Sequence, residues 1–337
     1  MVTILGRIPV VIGALALIFL FNFASGVGAQ QRNPDNSVNP TASSVKEDQL
    51  LRELNRIQGR GTLPDIKSSV IEQPAGREWR QFHEVTLKWI GAIAILGFIA
   101  VMLVFYLVRG MVRIKAGRSG RVIVRFNAFE RFVHWMTATC FVVLAISGLN
   151  ITFGKELLLP IMSPEAFTTW SQTLKYLHNY LSFPFTIGVV LILLMWIGGN
   201  IPNRVDVAWV KRGGGIVGND HPPAYKFNAG QKMMYWIVVL GGGAVATSGY
   251  FLMFPFYATD IAGMQLAQIV HGCVAVLFVA AMLAHIYIGT IGMEGAFEAM
   301  AEGTVDENWA KQHHSLWLDE EKNKAPAGAT PRATPAE

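Results

Sequence analysis

The hydrophobic residues beyond position 88 are gathered into five long stretches. Each stretch lacks Asp, Glu, Lys and Arg and meets the roughly 20 residues that an α-helix needs to cross the hydrocarbon core of a bilayer. Only Asp260 separates the last two, so a tight turn is expected near 256–262. The pattern predicts an N-terminal helix and helices one to four, at Trp89–Val108, Phe132–Gly154, Tyr176–Asn203, Met233–Thr259 and Ile261–Met293.

The first 85 residues have a different pattern. An apolar core from Ile8 to Phe21 is followed by small residues at 27–29. Residues 1–29 are therefore predicted to be a secretory signal cleaved ahead of Gln30, with an uncleaved anchor as the alternative. Residues 30–85 are polar, carry mixed charge and show no apolar period. They are predicted to form a partly ordered arm outside the membrane.

Composition supports a protein that lies in lipid. The chain is 52% hydrophobic and 15% charged, whereas a soluble domain carries about 25% charged residues. The two cysteines, Cys140 and Cys273, both lie in apolar runs. Two thiols are too few for an iron–sulfur cluster, which needs about four. The sequence has no Cys-x-x-Cys-His motif, which excludes covalent attachment of a c-type haem.

Basic residues predict the orientation of the helices, because cytoplasmic loops are enriched in Lys and Arg. The connection 109–131 has seven basic residues and one acid, and 204–232 has five basic residues and two acids. The connection 155–175 is balanced. Both basic connections should therefore be cytoplasmic, which places the N-terminal arm in the periplasm and the acidic C-terminal tail in the cytoplasm of a bacterium with an inner membrane.

Four of the eight histidines lie in the apolar stretches, where an ionisable side chain is costly and usually functional. His271 and His285 are fourteen residues apart on helix four. Fourteen residues turn a helix by about 1400°, roughly 40° short of four full turns, so both side chains lie on one face. Their separation along the axis is ~21 Å, most of the hydrocarbon thickness. One histidine is therefore expected near each membrane surface.

Topology then assigns a partner to each of them. His134 lies near the cytoplasmic start of helix one and His178 near the outer start of helix two. The expected pairs are His134 with His285 on the inner side and His178 with His271 on the outer side. Two imidazoles that face each other across a bundle suit the axial positions of a haem iron. Zinc is the alternative, but no cysteine or carboxylate is placed to complete such a site.

These inferences give an all-α membrane protein: a four-helix transmembrane di-haem cytochrome b bundle with one additional N-terminal transmembrane helix. The predicted organisation is a signal (1–29), a periplasmic arm (30–85), the additional helix (86–109), a basic cytoplasmic linker (110–131), the di-haem domain (132–293) and a cytoplasmic tail (294–337).

Small residues fit a flat cofactor between these helices. Gly148 lies fourteen residues after His134, and Ala-Ile-Ser-Gly-Leu at 145–149 is echoed by Ala-Thr-Ser-Gly-Tyr at 246–250. Small residues also serve plain helix contacts in lipid. Outside the apolar stretches, His83 and His221 are expected to be solvated, and His313-His314 to be an interaction surface rather than a metal site.

Several motifs resemble the gamma (cytochrome b) subunit of respiratory formate dehydrogenase, of the cytochrome b556 type. The resemblance covers about residues 121–320, and the run at 228–234 and the His-His tail are specific to it. Related hydrogenase and thiosulfate reductase cytochromes share the four histidines alone. The matching motifs are Arg125-Phe-Asn-Ala-Phe-Glu-Arg-Phe-Val-His134-Trp, Tyr225-Lys-Phe-Asn-Ala-Gly-Gln-Lys-Met-Met-Tyr-Trp236, His285-Ile-Tyr and Gly303…Trp309-Ala-Lys-Gln-His-His…Trp317.

The resemblance implies a subunit that does not oxidise formate by itself. It would take electrons from an iron–sulfur subunit, which is fed by a molybdenum or tungsten formate-oxidising subunit, and pass them through two haems b to a quinone, menaquinone or ubiquinone. The implied quinone pocket lies beside the inner haem, at Asn228, Gly230, Gln231 and the ligand His285, where Lys226 and Lys232 would favour negative charge. Membrane lipid is an expected partner, and nucleic acid is not.

Three other functions compete with this interpretation. The chain could be the cytochrome of a related hydrogenase or thiosulfate reductase, or a membrane anchor whose haems are structural. A transporter with functional histidines is the third, but the apolar stretches hold no Asp, Glu, Lys or Arg to bind or relay an ion. The signal, the polar arm and the additional helix depart from the shorter family form.

Overall fold

Within the part of the chain that the structure describes, five helices in the computed structural model are long and apolar enough to cross a membrane, which confirms the number of spans predicted there. The structure describes residues 76–215 and 221–324. The spanning helices are α1 (Gly76–Arg109), α2 (Ala128–Leu157), α3 (Pro164–Asn200), α5 (Ala229–Met253) and α6 (Ile261–Gly292). The shorter elements are β1 (Val122–Val124), α4 (Arg204–Lys211), α7 (Ala296–Ala301), β2 (Thr304–Asp306), α8 (Glu307–His313) and α9 (Ser315–Lys324).

Four of the five spanning helices begin earlier than the apolar pattern predicts, α2 and α5 by four residues and α1 and α3 by more than three turns. Helix α3 begins at Pro164 rather than Tyr176, because a charge-free window excludes the turns that carry Glu165 and Lys175. Helix α1 begins at Gly76, inside the segment predicted to be a polar arm. The predicted signal and the rest of the arm, up to residue 75, lie outside the described residues.

Polar capping residues fix where the bundle helices start. The side chain of each capping residue accepts a hydrogen bond from a backbone N–H of the first helical turn, which otherwise has no partner. Three of these starts are reciprocal, with the side chain at the third helical position bonding back to the N–H of the cap. The caps are Asn127 (α2), Ser163 (α3), Asn203 (α4), Asn228 (α5) and Asp260 (α6).

Close packing between helices depends on small residues. A Cβ placed on Gly188 of α3 would lie 2.0 Å from Thr137 Oγ1 of α2, so only glycine permits this approach. Helix α1 packs on α6 by the same device, since a Cβ on Gly272 would lie 2.6 Å from Leu87 Cδ2. Small residues at such contacts are typical of helices that associate in lipid. Helix α1 therefore packs against the helix that carries His271 and His285.

The linker after α1 and the tail after α6 bind each other. Strand β1 pairs antiparallel with β2. Arg118 of the linker forms ion pairs with Glu294 and Glu298 of the tail, and Arg121 pairs with Glu307. The basic linker and the acidic tail are thus on the same side of the bundle, as the alternation of the helices requires.

Candidate functional site

The structure brings the four membrane histidines together as two pairs. The ring centres of His178 and His271 lie 6.1 Å apart, with 66° between the ring planes. The ring centres of His134 and His285 also lie 6.1 Å apart, with 58° between the planes. The two pairs share α6, on which His271 and His285 are fourteen residues apart.

The spacing within each pair fits a metal ion held between two imidazoles. A nitrogen–metal bond of about 2 Å on each side, with roughly 1 Å from the nitrogen to its ring centre, gives about 6 Å between ring centres. Within the described residues, no group of three or more His, Cys, Asp or Glu side chains could hold a metal ion. Two imidazoles and no third protein ligand would suit a haem iron better than zinc, which takes three or four protein ligands.

A serine on α2 orients His178 of the outer pair. Ser147 Oγ lies 2.8 Å from His178 Nδ1 and donates to the backbone oxygen of Val143, also at 2.8 Å. Since the hydroxyl proton is used on the carbonyl, the serine oxygen is free to accept from Nδ1–H. Ser147 is fully buried. The Nε2 atom of His178 is then the nitrogen left for a metal.

A serine on α5 forms the corresponding hydrogen bond with His271. Ser248 Oγ lies 3.2 Å from His271 Nδ1 and donates to the backbone oxygen of Ala244. The backbone oxygen of Val245 lies 3.0 Å from the same Nδ1. Because a carbonyl only accepts, it fixes the proton on Nδ1 and leaves Nε2 for a metal. A hydrogen bond of this kind to the second nitrogen is typical of histidines that bind metals.

The glycines of the repeated Ser-Gly pair let the outer histidines approach. A Cβ on Gly148 would lie 3.5 Å from His178 Cε1, and a Cβ on Gly249 would lie 3.1 Å from His271 Cε1. The sequence interpretation concerned the glycines alone, and the serines are the residues that it missed. The echo between 145–149 and 246–250 is the feature that points to them.

The inner pair lies beside the start of the tail. His134 Nδ1 is buried and has no hydrogen-bond partner within the described residues. The neighbouring Trp135 donates from Nε1 to the backbone oxygen of Met300 at 2.9 Å. The tail therefore closes this end of the bundle around His134.

An apolar layer separates the two pairs. Phe278 is seven residues from His271 and seven from His285, and it is buried. Its ring centre lies 4.9 Å from that of Phe141, which is seven residues after His134. Phe185 belongs to the same buried cluster. The layer holds no charged side chain, so it excludes water and ions from the space between the pairs.

The loop before α5 holds the residues implied for quinone binding, and two of them cap the helix. Asn228 Oδ1 accepts from the backbone N–H of Gln231 at 3.0 Å, and Gln231 Oε1 accepts from the backbone N–H of Asn228 at 3.1 Å. A Cβ on Gly230 would lie 3.2 Å from Trp209 Cη2 of α4. The cap uses the side-chain oxygens, so the amide N–H groups are the ones suited to donate to a ligand.

Each of the two lysines predicted to favour negative charge at this loop forms an ion pair with a carboxylate. Lys232 is buried and pairs with Asp206 at 2.8 Å, and Lys226 pairs with Glu130 at 3.3 Å. Each positive charge is thus offset by a carboxylate. Glu130 lies in α2 and Asp206 in α4, so neither ion pair is visible in the local sequence.

The cation that contacts Gln231 is Arg125, at 3.4 Å from Nη2 to Oε1. Arg125 is buried among aromatic rings, and its Nε and Nη1 have no hydrogen-bond partner within the described residues. It forms no ion pair with a carboxylate of those residues. Burial without a counter-charge lowers the pKa of the Arg125 guanidinium from 12.5 to about 9. Arg125 therefore carries a desolvated positive charge beside the loop.

The tail histidines are interior residues rather than an exposed surface. His314 is fully buried, with Nδ1 2.7 Å from the backbone oxygen of Tyr225 and Nε2 3.2 Å from Arg125 Nη2. His313 is buried, and its ring centre lies 5.1 Å from that of His221. His83, expected to be solvated, is half-buried and stacks on Trp79 at 5.5 Å. His314 joins the tail to the loop before α5.

Comparisons with known proteins bear on the whole arrangement. The family described as prokaryotic cytochrome b561 matches residues 125–303. The cytochrome b556(fdo) subunit of formate dehydrogenase from Escherichia coli (strain K12) is 31% identical over 202 residues, which are 59% of this chain and 92% of the relative. The nitrate-inducible cytochrome b556(Fdn) subunit from the same organism is 28% identical over 60% and 93% of the two chains. The formate dehydrogenase cytochrome b556 subunit of Haemophilus influenzae is 27% identical over 63% of this chain and 88% of the relative.

Proposed function

The chain belongs to the prokaryotic cytochrome b561 family of haem b electron-transfer membrane proteins, and from this membership we propose that it is the cytochrome b subunit of a formate dehydrogenase complex. The relatives named above are subunits of formate dehydrogenases. Their matched lengths cover almost the whole of each relative. The proposal adds two haems b, a quinone, an iron–sulfur subunit and a molybdenum- or tungsten-containing formate-oxidising subunit.

The observation that carries the proposal is the two histidine pairs, each of which has one member on α6. His178 and His271 would hold one haem on the outer side, and His134 and His285 would hold the other on the inner side. The rings of both pairs lie 6.1 Å apart. Fourteen residues of helix separate the two levels by ~21 Å. When bound, the haems would supply one-electron carriers at two depths of the membrane.

The residues between the two levels favour transfer of electrons over transfer of ions. Phe141, Phe185 and Phe278 fill the space with apolar side chains. An ion or proton path needs polar or ionisable groups along its length. An electron needs no such groups along its path. This layer is an argument against the transporter alternative.

A quinone site at the loop before α5 follows from the groups assembled there. The amide N–H groups of Asn228 and Gln231 would donate to a quinone oxygen as negative charge develops on it, and Gly230 lies between them, packed against Trp209 of α4. Arg125 supplies the positive charge, since it contacts Gln231 and no described carboxylate neutralises it. A fixed charge in a desolvated site stabilises developing negative charge more strongly than one in water.

The orientation proposed for the complex is that of the sequence prediction. The basic linker and the tail would face the cytoplasm of a bacterial inner membrane, and the end of α1 near Gly76 would face the periplasm. Electrons would then enter at His178 and His271 and leave at the level of His134 and His285. Quinone reduction there would take up cytoplasmic protons.

A double variant, Asn228→Ala with Gln231→Ala, tests the direction of electron transfer and the site at which electrons leave for the quinone. In the assembled complex, formate-driven reduction of the haems and formation of quinol are measured separately. The expected result is that the haems still reduce while quinol formation falls by at least tenfold, since the donors to the quinone oxygen are lost. Asn203→Ala, which removes the cap of the neighbouring α4, is the matched control and should leave both readings near those of the parent.

Unchanged quinol formation in the double variant, with unaltered quinone affinity, would contradict this pocket and leave the loop as a helix cap. A parent complex whose haems are not reduced by formate would contradict the assignment to formate dehydrogenase.

A further inference from the structure

A basic residue precedes one histidine of each pair by three positions. Arg131-Phe-Val-His134 begins α2, and Lys175-Tyr-Leu-His178 lies in α3. Residues three apart on a helix share a face, so each cation lies one turn from its histidine. Helical side chains lean toward the N-terminus of their helix. Arg131 therefore extends toward the inner surface from His134, and Lys175 toward the outer surface from His178.

Neither cation has a carboxylate partner among residues 76–215 and 221–324. Lys175 is half-buried, and no described acid forms an ion pair with it. Arg131 donates from Nη1 to the backbone oxygen of Ala301 at 2.8 Å, but its buried Nε has no partner. A half-buried cation without a counter-charge is costly unless a ligand supplies one.

Two other cations on the outer side are less suited to bind such a ligand, because one is in an ion pair and the other is exposed. Lys88 forms an ion pair with Glu156, and Lys155 is exposed at the end of α2. On α6, Gln268 lies three residues before His271 and has a buried Oε1 without a partner. One turn toward the surface, the outer pair thus has a cation without a carboxylate partner on α3 and a buried, unpaired amide oxygen on α6.

A haem b has two propionate carboxylates, which need positive charge or water where they leave the apolar interior. We propose that Lys175 binds a propionate of the outer haem and that Arg131 binds a propionate of the inner haem, each cation placed one helical turn from a ligand on the surface side. The inference rests on the proposed haem pairs and adds the residues that orient each macrocycle.

Each cation also raises the midpoint potential of its own haem. The reduced haem holds one more electron than the oxidised haem, and a nearby positive charge stabilises it. Neutralising Lys175 therefore disfavours reduction of the outer haem, while the inner haem, about four helical turns away, is affected far less.

The test is an optical redox titration of the purified holoprotein with Lys175→Met or Arg131→Met. Each variant should retain two haems and lower one of the two midpoint potentials, and the two variants should lower different ones. Lys155→Met, an exposed cation on the same side as Lys175, is the matched control and should leave both potentials at the parent values.

Two haems with unchanged midpoint potentials in both variants would overturn the proposal. It would also be overturned if both variants lowered the midpoint potential of the same haem. If Lys175→Met purifies with one haem, the Lys175→Arg variant is measured in addition. Two haems in Lys175→Arg would support the ion pair with the propionate, and a single haem would contradict it. A parent protein without two haems would instead contradict the proposed function, so the two failures are distinguishable.

Discussion

Ser147 Oγ lies 2.8 Å from Nδ1 of His178, across the interface between α2 and α3. Ser248 of α5 has the same relationship to His271 of α6, at 3.2 Å. Each serine is followed by a glycine that lets the imidazole approach its helix. The Ser-Gly pair is thus a repeated device that fixes the tautomer and the orientation of the outer histidines.

The first prediction concerns this device. Ser147→Ala should weaken retention of the outer haem by roughly 10–100-fold, because the partner of the second ring nitrogen of His178 is lost. Haem dissociation to an excess of apomyoglobin measures the effect. Ser182→Ala is the control, because it removes from α3 a hydroxyl that bonds only to a backbone oxygen. This variant should lose haem at the parent rate. Equal rates in Ser147→Ala and the parent would contradict the role of the serine.

Much of this arrangement is visible in the sequence, because a membrane imposes strong patterns. The five spans and the common face of His271 and His285 follow from hydropathy and helical periodicity. The start of α3 does not, since its first turns carry charge and lie beyond the apolar window.

Side-chain contacts between distant segments were beyond the reach of sequence patterns. The ion pair of Lys232 with Asp206 depends on how α4 folds back onto α5. The burial of His314 depends on the tail returning under the bundle to reach Tyr225. Periodicity reports the face of one helix, whereas these contacts join segments that are unrelated in sequence spacing.

The second prediction concerns orientation. In a variant without the two native cysteines, Glu165→Cys near the start of α3 should react with an impermeant maleimide added to intact spheroplasts. Asp319→Cys in the tail should react only after the membrane is opened. Both positions are exposed, so a difference in labelling reports the side of the membrane. Labelling of Asp319→Cys in intact spheroplasts would contradict the predicted cytoplasmic side of the tail.

The third prediction is that acid releases the tail. Burial, with His221 and Arg125 nearby, lowers the pKa of His313 from 6.5 to about 3. Burial and Arg125 lower the pKa of His314 well below 6.5. The released tail therefore binds protons that the docked tail does not, so docking is strongest above about pH 6.5 and weakens as the pH falls toward 3. At pH 5 the loss from His313 is roughly 2 kcal/mol.

Hydrogen exchange measures this release. After correction for intrinsic rates, protection of residues 304–324 should fall between pH 7.5 and pH 5, while protection of the membrane-spanning part of α3 should not change. Protection of the tail that is constant or rises over this range would contradict the account.

The fourth prediction concerns Arg125. Arg125→Met should slow quinol formation in the assembled complex by at least tenfold, because the desolvated positive charge beside Gln231 is lost. Formate-driven reduction of the haems should persist. Arg118→Met removes a half-exposed cation of the linker and serves as the control. Equal loss of quinol formation in both variants would assign the effect to docking of the tail.

The count and identity of haems in histidine variants test the central claim most directly. The parent should bind two low-spin haems b, His271→Ala should lose the haem of the outer pair, and His134→Ala that of the inner pair, each retaining one haem equivalent. His83→Ala, which removes a histidine outside the pairs, should retain two. The measurement is haem per protein by the pyridine haemochrome assay, together with the redox potential of the haem that is left. The account predicts that His271→Ala and His134→Ala retain haems of different potential. Two full haem equivalents in either variant would contradict it.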